Sequence, residues 1–421
     1  MTDRTHAHVV TCFLDHDGRV LVTRRSDAVG TYRGRWAGVS GYVEGDPADA
    51  LADARREIDE ETGLDATLVR AGDPLRIEDG DRGWTVHPFL FEAGDRDVRP
   101  NEELADWEWI HAPAMCDRET VPGLWAAYRR VSPTVETVRA DREHGSTWLS
   151  LRALEALRDG ATVADDWEAV AETARGLRDA RPAMAVVANR VNRAMAGTER
   201  TAAAVRRAAA ATLDDAASAD REAATRAADL LDGPAATLSR SGTALAALRT
   251  AGVPVVVGES RPGREGVATA EALAEGGTDV TLVPDAALPG AFADGTAVPD
   301  AESALIGADA VLPDGAVVNK TGSRPLALAA AAADRPVRVV TARDKVRPDD
   351  VVPGETGDPS TLYDGDAPIR TALPLFERVP APLVDAVVTE AGVLDADEIR
   401  SVAADHREAA GWDPEASAVD G

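Results

Sequence analysis

From about residue 235 the chain alternates short β-branched runs with alanine-rich helical stretches, and no other feature restricts its fold as much. The runs "VPVVVGES", "DVTLVP", "ADAVLP" and "VRVVTA" are interleaved with "REGVATAEALAEGG" and "RPLALAAAAADR". Strands joined through helices cannot pair as hairpins; the crossover sets them side by side in a parallel sheet. The back of the chain is therefore expected to form βαβ units.

The front has a different rhythm. "HAHVVTCFLDHDGRVLVTRRS" reads as strand, turn, strand, with Asp17-Gly18 at the reversal. A helix is predicted over about 47–62, followed by strand-like runs at "ATLVRAG", "WTVHPFLFE" and "ADWEWIHA" and a closing helix in "VPGLWAAYRRV". Between about 134 and 230 the composition turns to alanine and arginine at helical spacing, and alanine is the strongest helix former. "VSPT" marks the first boundary, and 346–372, rich in Pro, Gly and Asp, reads as a loop before a last helical stretch. A chain of 421 residues exceeds one compact core. The expected domains are 1–131, a helical domain over 134–230 and an α/β domain over 235–421.

Charge narrows the function classes. Asp and Glu number 73 against 45 Lys and Arg, a net −28, and lysine occurs only as Lys320 and Lys345. That balance suggests the solvated carboxylate surface of a halophile, and it argues against nucleic acid or anionic lipid as partners. End-to-end apolar periodicity separates the chain from acidic disordered proteins. Cys12 and Cys116 make neither a disulfide framework nor a zinc cluster. With no run approaching the roughly 18 apolar residues of a membrane span, a soluble cytoplasmic protein is expected.

The predicted helix at 47–62 carries the densest chemistry. Asp46 can cap it, Pro47 can open it and Gly63 can stop it. Glu57, Glu60 and Glu61 stand at i, i+3 and i+4, on one face, where they repel unless a cation sits among them. All-oxygen ligation suits Mg²⁺ or Mn²⁺, ions that stabilise charge on a diphosphate and activate water. Arg56 reaches Glu60 at i+4, while Ile58 and Leu64 face the core. On the carboxylates alone, a solvated acidic face is an equal alternative. The whole phrase "REIDEETGL" resembles the signature of the Nudix hydrolases, matched at Arg56, Glu57, Ile58, Glu60, Glu61, Gly63 and Leu64. "GRVLVTRRS", "GRWAGVSGYVEGD" and "ELADWEWIHA" are similar to the family's surrounding elements, so the resemblance covers roughly 5–130. It implies an α/β/α sandwich that hydrolyses a nucleoside diphosphate linked to another group, with Glu57, Glu60 and Glu61 as metal ligands. One family position is unfilled: the glutamate nine residues before Glu57 is Ala48, and the stretch from Gly41 is one residue longer than the family pattern. Glu102 or Glu103 can supply a further carboxylate or the base, or be surface acid.

Three phrases of the second half carry chemistry. "GESRPGREG" places Arg261 between a strand and a helix opening, a setting suited to phosphate. "GADAVLPDGAVVNKTGS" places Asp309 at a strand end, with Asn319 and Lys320 beyond it. Taken singly, each fits a cap, turn or ion pair equally well. Together with "DREHGSTWLSLRALEAL", "ARPAMAVVANRV", "SGTALAAL" and "TEAGV", they resemble one family. It comprises the alpha, beta and delta subunits of eukaryotic translation initiation factor 2B, methylthioribose-1-phosphate isomerase and ribose-1,5-bisphosphate isomerase. The resemblance implies a helical domain, then a Rossmann-like parallel-sheet domain that makes a homodimer. It also implies a phosphate pocket at Arg181, Asn319 and Lys320 and a catalytic aspartate at Asp309. The isomerases' cysteine is missing: Ser239, Arg240 and Ser241 occupy that loop, and Glu265 stands where the isomerases have glutamine.

The expectation is thus a multidomain α/β protein: a Nudix-type hydrolase fused to a module that binds a phosphorylated nucleoside or sugar. A nucleotide-sensing regulator and an aldose-ketose isomerase are the alternatives.

Overall fold

The computed structural model describes residues 5–80, 82–352 and 354–413. It divides into two compact units: one of residues 1–137, 151–170 and 200–214, the other of 138–150, 171–199 and 215–421.

The first unit is built on a mixed sheet. Its strands are β1 (Thr5–His16), β2 (Arg19–Arg25), β3 (Trp36–Ala37), β4 (Ala66–Ala71), β5 (Leu75–Asp79), β6 (Arg82–Ala93) and β7 (Leu104–Ile110). The path runs β3-β2-β1-β6-β4, with β5 on β6 and β7 on β2. Only β1 and β6 run parallel, in register from Thr5↔Arg82 to Asp15↔Glu92; the remaining pairs are antiparallel. Alternation along β1 splits two cores. Val10, Cys12 and Leu14 pack with Ala50, Ala54 and Ile58 of helix α1 (Ala50–Thr62). Phe13 packs with Leu124, Ala127 and Tyr128 of helix α2 (Leu124–Val131) on the other face. The result is an α/β/α sandwich.

The β1–β2 reversal is the predicted one, with Asp17 and Gly18 at φ 52° and 76°. Gly18 is required twice: besides its φ, a Cβ there would lie 2.4 Å from Leu213. A buried ion network joins this corner to helical residues of the same unit. Arg152 pairs with Asp15 (2.5 Å) and Glu155 (2.8 Å). Arg158, fully buried, pairs with Asp159 (2.7 Å) and donates to the Gly18 carbonyl (2.8 Å). Tyr128 donates to the other Asp159 oxygen (2.8 Å), and Arg19 grips Asp214 with two nitrogens. Burial, opposed by Arg152, pushes the Glu155 carboxyl well up.

Helices follow in sequence: α3 (Val135–Ala140), α4 (Ser146–Val163), α5 (Trp167–Arg178), α6 (Ala185–Met195) and α7 (Ala202–Ala228). In the second unit they lead to β8 (Ala235–Leu238), α8 (Gly242–Ala251), β9 (Val255–Gly258), α9 (Glu265–Glu275), β10 (Val280–Val283) and β11 (Ser303–Ile306). Next are β12 (Ala310–Val311), β13 (Val317–Lys320), α10 (Ser323–Ala332), β14 (Val337–Val340), β15 (Phe376–Val379), β16 (Ala386–Thr389), β17 (Gly392–Leu394) and α11 (Ala396–Ala409). The main sheet is ordered β10-β9-β8-β11-β14-β16-β17 and is parallel up to β16, a Rossmann-type order. Helices α8 and α9 and the end of α7 cover one face, α10 and α11 the other.

Two expectations are corrected here. "ADAVLP" does not join the parallel sheet: β12 pairs antiparallel with β13, and β13 with β15, in a separate three-stranded sheet. Strands β15 to β17 also stand between the 346–372 loop and α11, where the sequence suggests only a last helical stretch. The two-residue β12 and three-residue β17 are too short for a period to register.

Replacing Arg158 with Met removes the cation while leaving Asp159 buried. It is expected to cost about 3–5 kcal/mol in denaturant unfolding at molar salt; a loss under about 1 kcal/mol would show that the network does not carry this corner.

Candidate active site

Helix α1 is positioned by its ends and its buried stripe. Asp46 accepts from the Ala48 amide and Pro47 opens a one-turn 3₁₀ segment ahead of the helix. Gly63, at φ 61°, stops the helix with its N–H on the Asp59 carbonyl. Ala50, Ala54 and Ile58 anchor the inner face, which leaves Glu57 lining a cavity of about 310 Å³.

Glu57 lines that cavity together with Glu44, Glu103, Arg25 and Ser40. Glu61 is buried beneath it, at 3% exposure. Burial, then the charges of Glu57 and Glu103, push the Glu61 carboxyl up to about 8, against a hydrogen bond from the Ser40 backbone. Burial also raises Glu57, opposed by Arg56. Beneath them burial and the same two carboxylates raise the Cys12 thiol. Glu60 is more open, its side chain 55% exposed, and pairs with Arg56 at 3.3 Å. Thus Glu57, Glu61 and Glu103 bear on one another, and the more open Glu60 bears on Glu57. Among the described residues no three His, Cys, Asp or Glu side chains are already gathered around one point at metal-binding distance.

Arg56 is the organiser. It reaches Glu57 (2.9 Å), Asp53 (3.0 Å), Glu60 (3.3 Å) and Glu44 (3.8 Å), and these contacts, the Asp53 hydrogen bond first, raise its pKa further. Asp53 also accepts from the Glu44 amide (3.1 Å), pinning the entry loop to the helix. This acid was not singled out in the sequence; its i+3 spacing to Arg56 was the available signal. Ala48 leaves its position without a carboxylate, and the extra residue of the approach sits in a stretch that includes the 3₁₀ turn ahead of α1. A Cβ on Gly41 would fall 2.0 Å from a Glu57 oxygen, so only glycine leaves that carboxylate its place.

Arg25 enters from β2 at a register shift against β7, a bulge that re-aims the side chain. It donates to the Thr31 carbonyl (3.0 Å) and Ser40 Oγ (3.4 Å), a fixed cation at the edge of an acidic pocket.

In the second unit Asp309 follows β11, with its amide on the Val318 carbonyl (2.9 Å). Burial raises its carboxyl, opposed chiefly by Lys345. It lines a cavity of about 20 Å³ with Arg347, Glu355 and Phe376. Asn319 donates to Ser323 Oγ (2.8 Å). The buried Lys320 ammonium is held by Glu265 at 2.6 Å. Arg181 donates to the Asp141 carbonyl, and burial, then Arg142, lower its pKa. Arg261 points outward, 65% exposed, toward Glu259 (3.3 Å). Ser241, which caps α8, packs on Gly307, where a Cβ would lie 2.5 Å from its hydroxyl.

Comparisons with known proteins divide the chain near residue 140, whereas the first compact unit also takes in 151–170 and 200–214. The model of the NUDIX domain matches residues 4–135, and that of the initiation factor 2 subunit family matches 142–396. Ribose 1,5-bisphosphate isomerase of Haloferax volcanii is 34% identical over 151 residues, 33% of this chain and 44% of its own. A probable bifunctional methylthioribose-1-phosphate isomerase/methylthioribulose-1-phosphate dehydratase of Nocardia farcinica is 37% identical over 198 residues, 42% of this chain and 35% of that one. The chain spans only about half, or less, of the length of these curated relatives. The structure of translation initiation factor eIF-2B from Pyrococcus horikoshii OT3 aligns with TM-score 0.54 at 26% identity, over 62% of this chain and 94% of that one. A 5-methylthioribose 1-phosphate isomerase of the same organism shares the fold at TM-score 0.52 and 16% identity, over 73% and 90%.

The Glu61 shift has a direction that can be measured without any ion. Its folded pKa, about 8, lies above the value near 4.5 of the unfolded chain. The stability it contributes is whole below the lower value and is lost as pH rises through the upper one. In chelator, wild type should lose up to a few kcal/mol relative to Glu61→Gln between about pH 5 and 9. A flat difference would show that the carboxyl ionises freely in the fold.

Proposed function

We propose, for a chain that belongs to the initiation factor 2 subunit family and carries a NUDIX domain at its front, divalent-metal-dependent hydrolysis of a nucleoside diphosphate derivative. The observation that carries this reading is that Glu57 and Glu103 line one pocket beside a fixed arginine, with the buried Glu61 within reach of both their charges. Repelling oxygen donors fit a hard dication, so Glu57 and Glu61, with Glu60 beside them on the same helix face, would hold Mg²⁺ or Mn²⁺. Such an ion, when bound, offsets phosphate charge and makes water a better nucleophile.

The chain's own groups do the rest. Arg25 can donate to phosphate oxygens that would otherwise meet only carboxylates. Arg56, tied by Asp53, keeps Glu57 pointed into the pocket. Water adds to phosphorus, the bridging P–O bond breaks, and the water's proton passes to a carboxylate. Glu103, on the pocket wall, is placed to take it.

For the second unit we propose ligand binding rather than sugar-phosphate turnover. Its relatives are isomerases, but the loop at 239–241 offers no thiol, and about 20 Å³ beside Asp309 admits a water and nothing larger. Glu265 already neutralises Lys320. An anion bound there must displace that carboxylate.

Full-length protein in molar KCl with Mg²⁺ or Mn²⁺ should release product from at least one substrate in a panel of nucleoside diphosphate derivatives. Glu57→Gln and Glu61→Gln should each lower kcat/KM by about a hundredfold or more; unchanged turnover in both would rule the pocket out. For the second unit, Glu265→Gln should bind inorganic phosphate at least about tenfold tighter than wild type in calorimetry. Equal affinity would mean that Lys320 is not the anion's partner.

A further inference from the structure

The first-unit cavity is also lined by aromatic rings that the hydrolytic reading leaves unused. Tyr32, in the loop between β2 and β3, is held at φ 52°, a left-handed conformation that bulky residues rarely take. Two hydrogen bonds accompany that conformation. Its hydroxyl donates to Asp79 Oδ2 (2.9 Å) and accepts from Trp84 Nε1 (3.2 Å). The Tyr32 and Trp84 rings lie 6.3 Å apart at 55°, and Tyr42, next to Gly41, sets its ring 6.1 Å from Trp84 on the other pairing. Ile77, Val86 and Leu124 complete an apolar floor.

Two features of this wall bear on recognition. The polar tips of Tyr32 and Trp84 bond to each other and to Asp79, so what these rings can offer a ligand is face rather than donor. Burial and Asp79 also raise the Tyr32 phenol, which keeps it neutral. The cavity therefore combines Arg25 and the carboxylates with flat, apolar ring faces. A molecule with a diphosphate at one end and an uncharged planar ring at the other fits that combination.

We infer that Tyr32 and Trp84 form the seat of the substrate's nucleobase and hold it by its face, so that the pocket accepts purines and pyrimidines alike. Asp79 acts through Tyr32 and is a positioning residue. Stacking tolerates any base because every base has a π-face, whereas a site that hydrogen-bonds a base edge rejects the wrong base strongly. The inference rests on the hydrolytic reading for the diphosphate end only.

The test uses the full chain in molar KCl and reads binding apart from turnover. AMP, GMP, CMP and UMP should quench tryptophan fluorescence with dissociation constants within about tenfold of one another. That quenching should vanish in Trp84→Leu, with affinity down about tenfold or more by calorimetry, and Tyr32→Leu should weaken binding similarly while Tyr32→Phe largely keeps it. In turnover, the Leu variants should raise KM and leave kcat within a few-fold; circular dichroism checks that they fold. Unchanged affinity in both Leu variants overturns the seat, as does a hundredfold preference for one base or better turnover of a prenyl diphosphate than of any nucleotide. Mononucleotide binding with the expected losses but no hydrolysis of any substrate would keep the seat and remove the hydrolase. Hydrolysis with KM unchanged in Trp84→Leu and Tyr32→Leu would do the reverse.

Discussion

Each unit is packed around one arginine that solvent does not reach. Arg158 in the first and Arg190 in the second are the two largest fully buried side chains among the described residues. Neither could stay charged there without partners already in position, because an unpaired buried ion costs several kcal/mol. Arg158 has Asp159, the Gly18 carbonyl and the Tyr128 hydroxyl. Arg190 has Asp344 (2.9 Å), Ser150 (2.7 Å) and, more distantly, Asp220 (3.6 Å). Asp344 in turn pairs with Arg193, and its carboxyl is held far below the usual range by His406 and the two arginines, against burial. These networks fix register as well as energy: the partners come from elements far apart in sequence and meet at one geometry only. Arginine suits the task better than lysine, since its planar fork meets several acceptors at once.

The architecture was legible where the period was long and regular. The β1–β2 reversal, helix α1 and the βαβ rhythm of the back half all survive into the structure: β1 is buried on both faces between two cores, and α1 buries one stripe. The misses have a common physical cause. The strands β12, β15 and β17 have two to four residues each, and their burial is settled by neighbours far away in sequence.

The site was legible in part, and the division is instructive. Glu57, Glu60 and Glu61 could be read from spacing on one helix, since helical periodicity fixes their directions. Their inequality could not: Glu61 is buried and Glu60 open because the sheet lies closer to one edge of that face. Glu103 was an open alternative, and the fold sets it in the lining of the same cavity as Glu57. Tyr32 and Trp84 carried no sequence signal as a pair, being 52 residues apart and joined only through a strained loop and a sheet register. Asp53 lay in plain view, but among so many acids a single aspartate has no contrast.

That abundance of acid has a consequence for anion recognition across the chain. With 73 carboxylates against 45 basic side chains, any cradle of N–H groups or buried cation is within reach of an internal competitor. In the second unit the competitors are in place: Glu377 accepts from the Gly322 and Arg324 amides at the start of α10, and Asp285 from the Ser260 and Arg261 amides. Glu265 does the same at Lys320. Each carboxylate provides locally what a bound phosphate would, so a phosphate gains only the difference between its own interaction and the one it displaces. High salt weakens exposed pairs more than buried ones, which leaves the Lys320 pair as the stronger barrier. In the first unit the balance runs the other way. Arg25 gives its hydrogen bonds to a carbonyl and a hydroxyl, its charge remains available at the pocket edge, and the crowded carboxylates beside it favour a cation. The same excess of acid thus sets an internal competitor at the anion positions of one unit, and in the other it crowds carboxylates beside an arginine whose hydrogen bonds go to neutral groups.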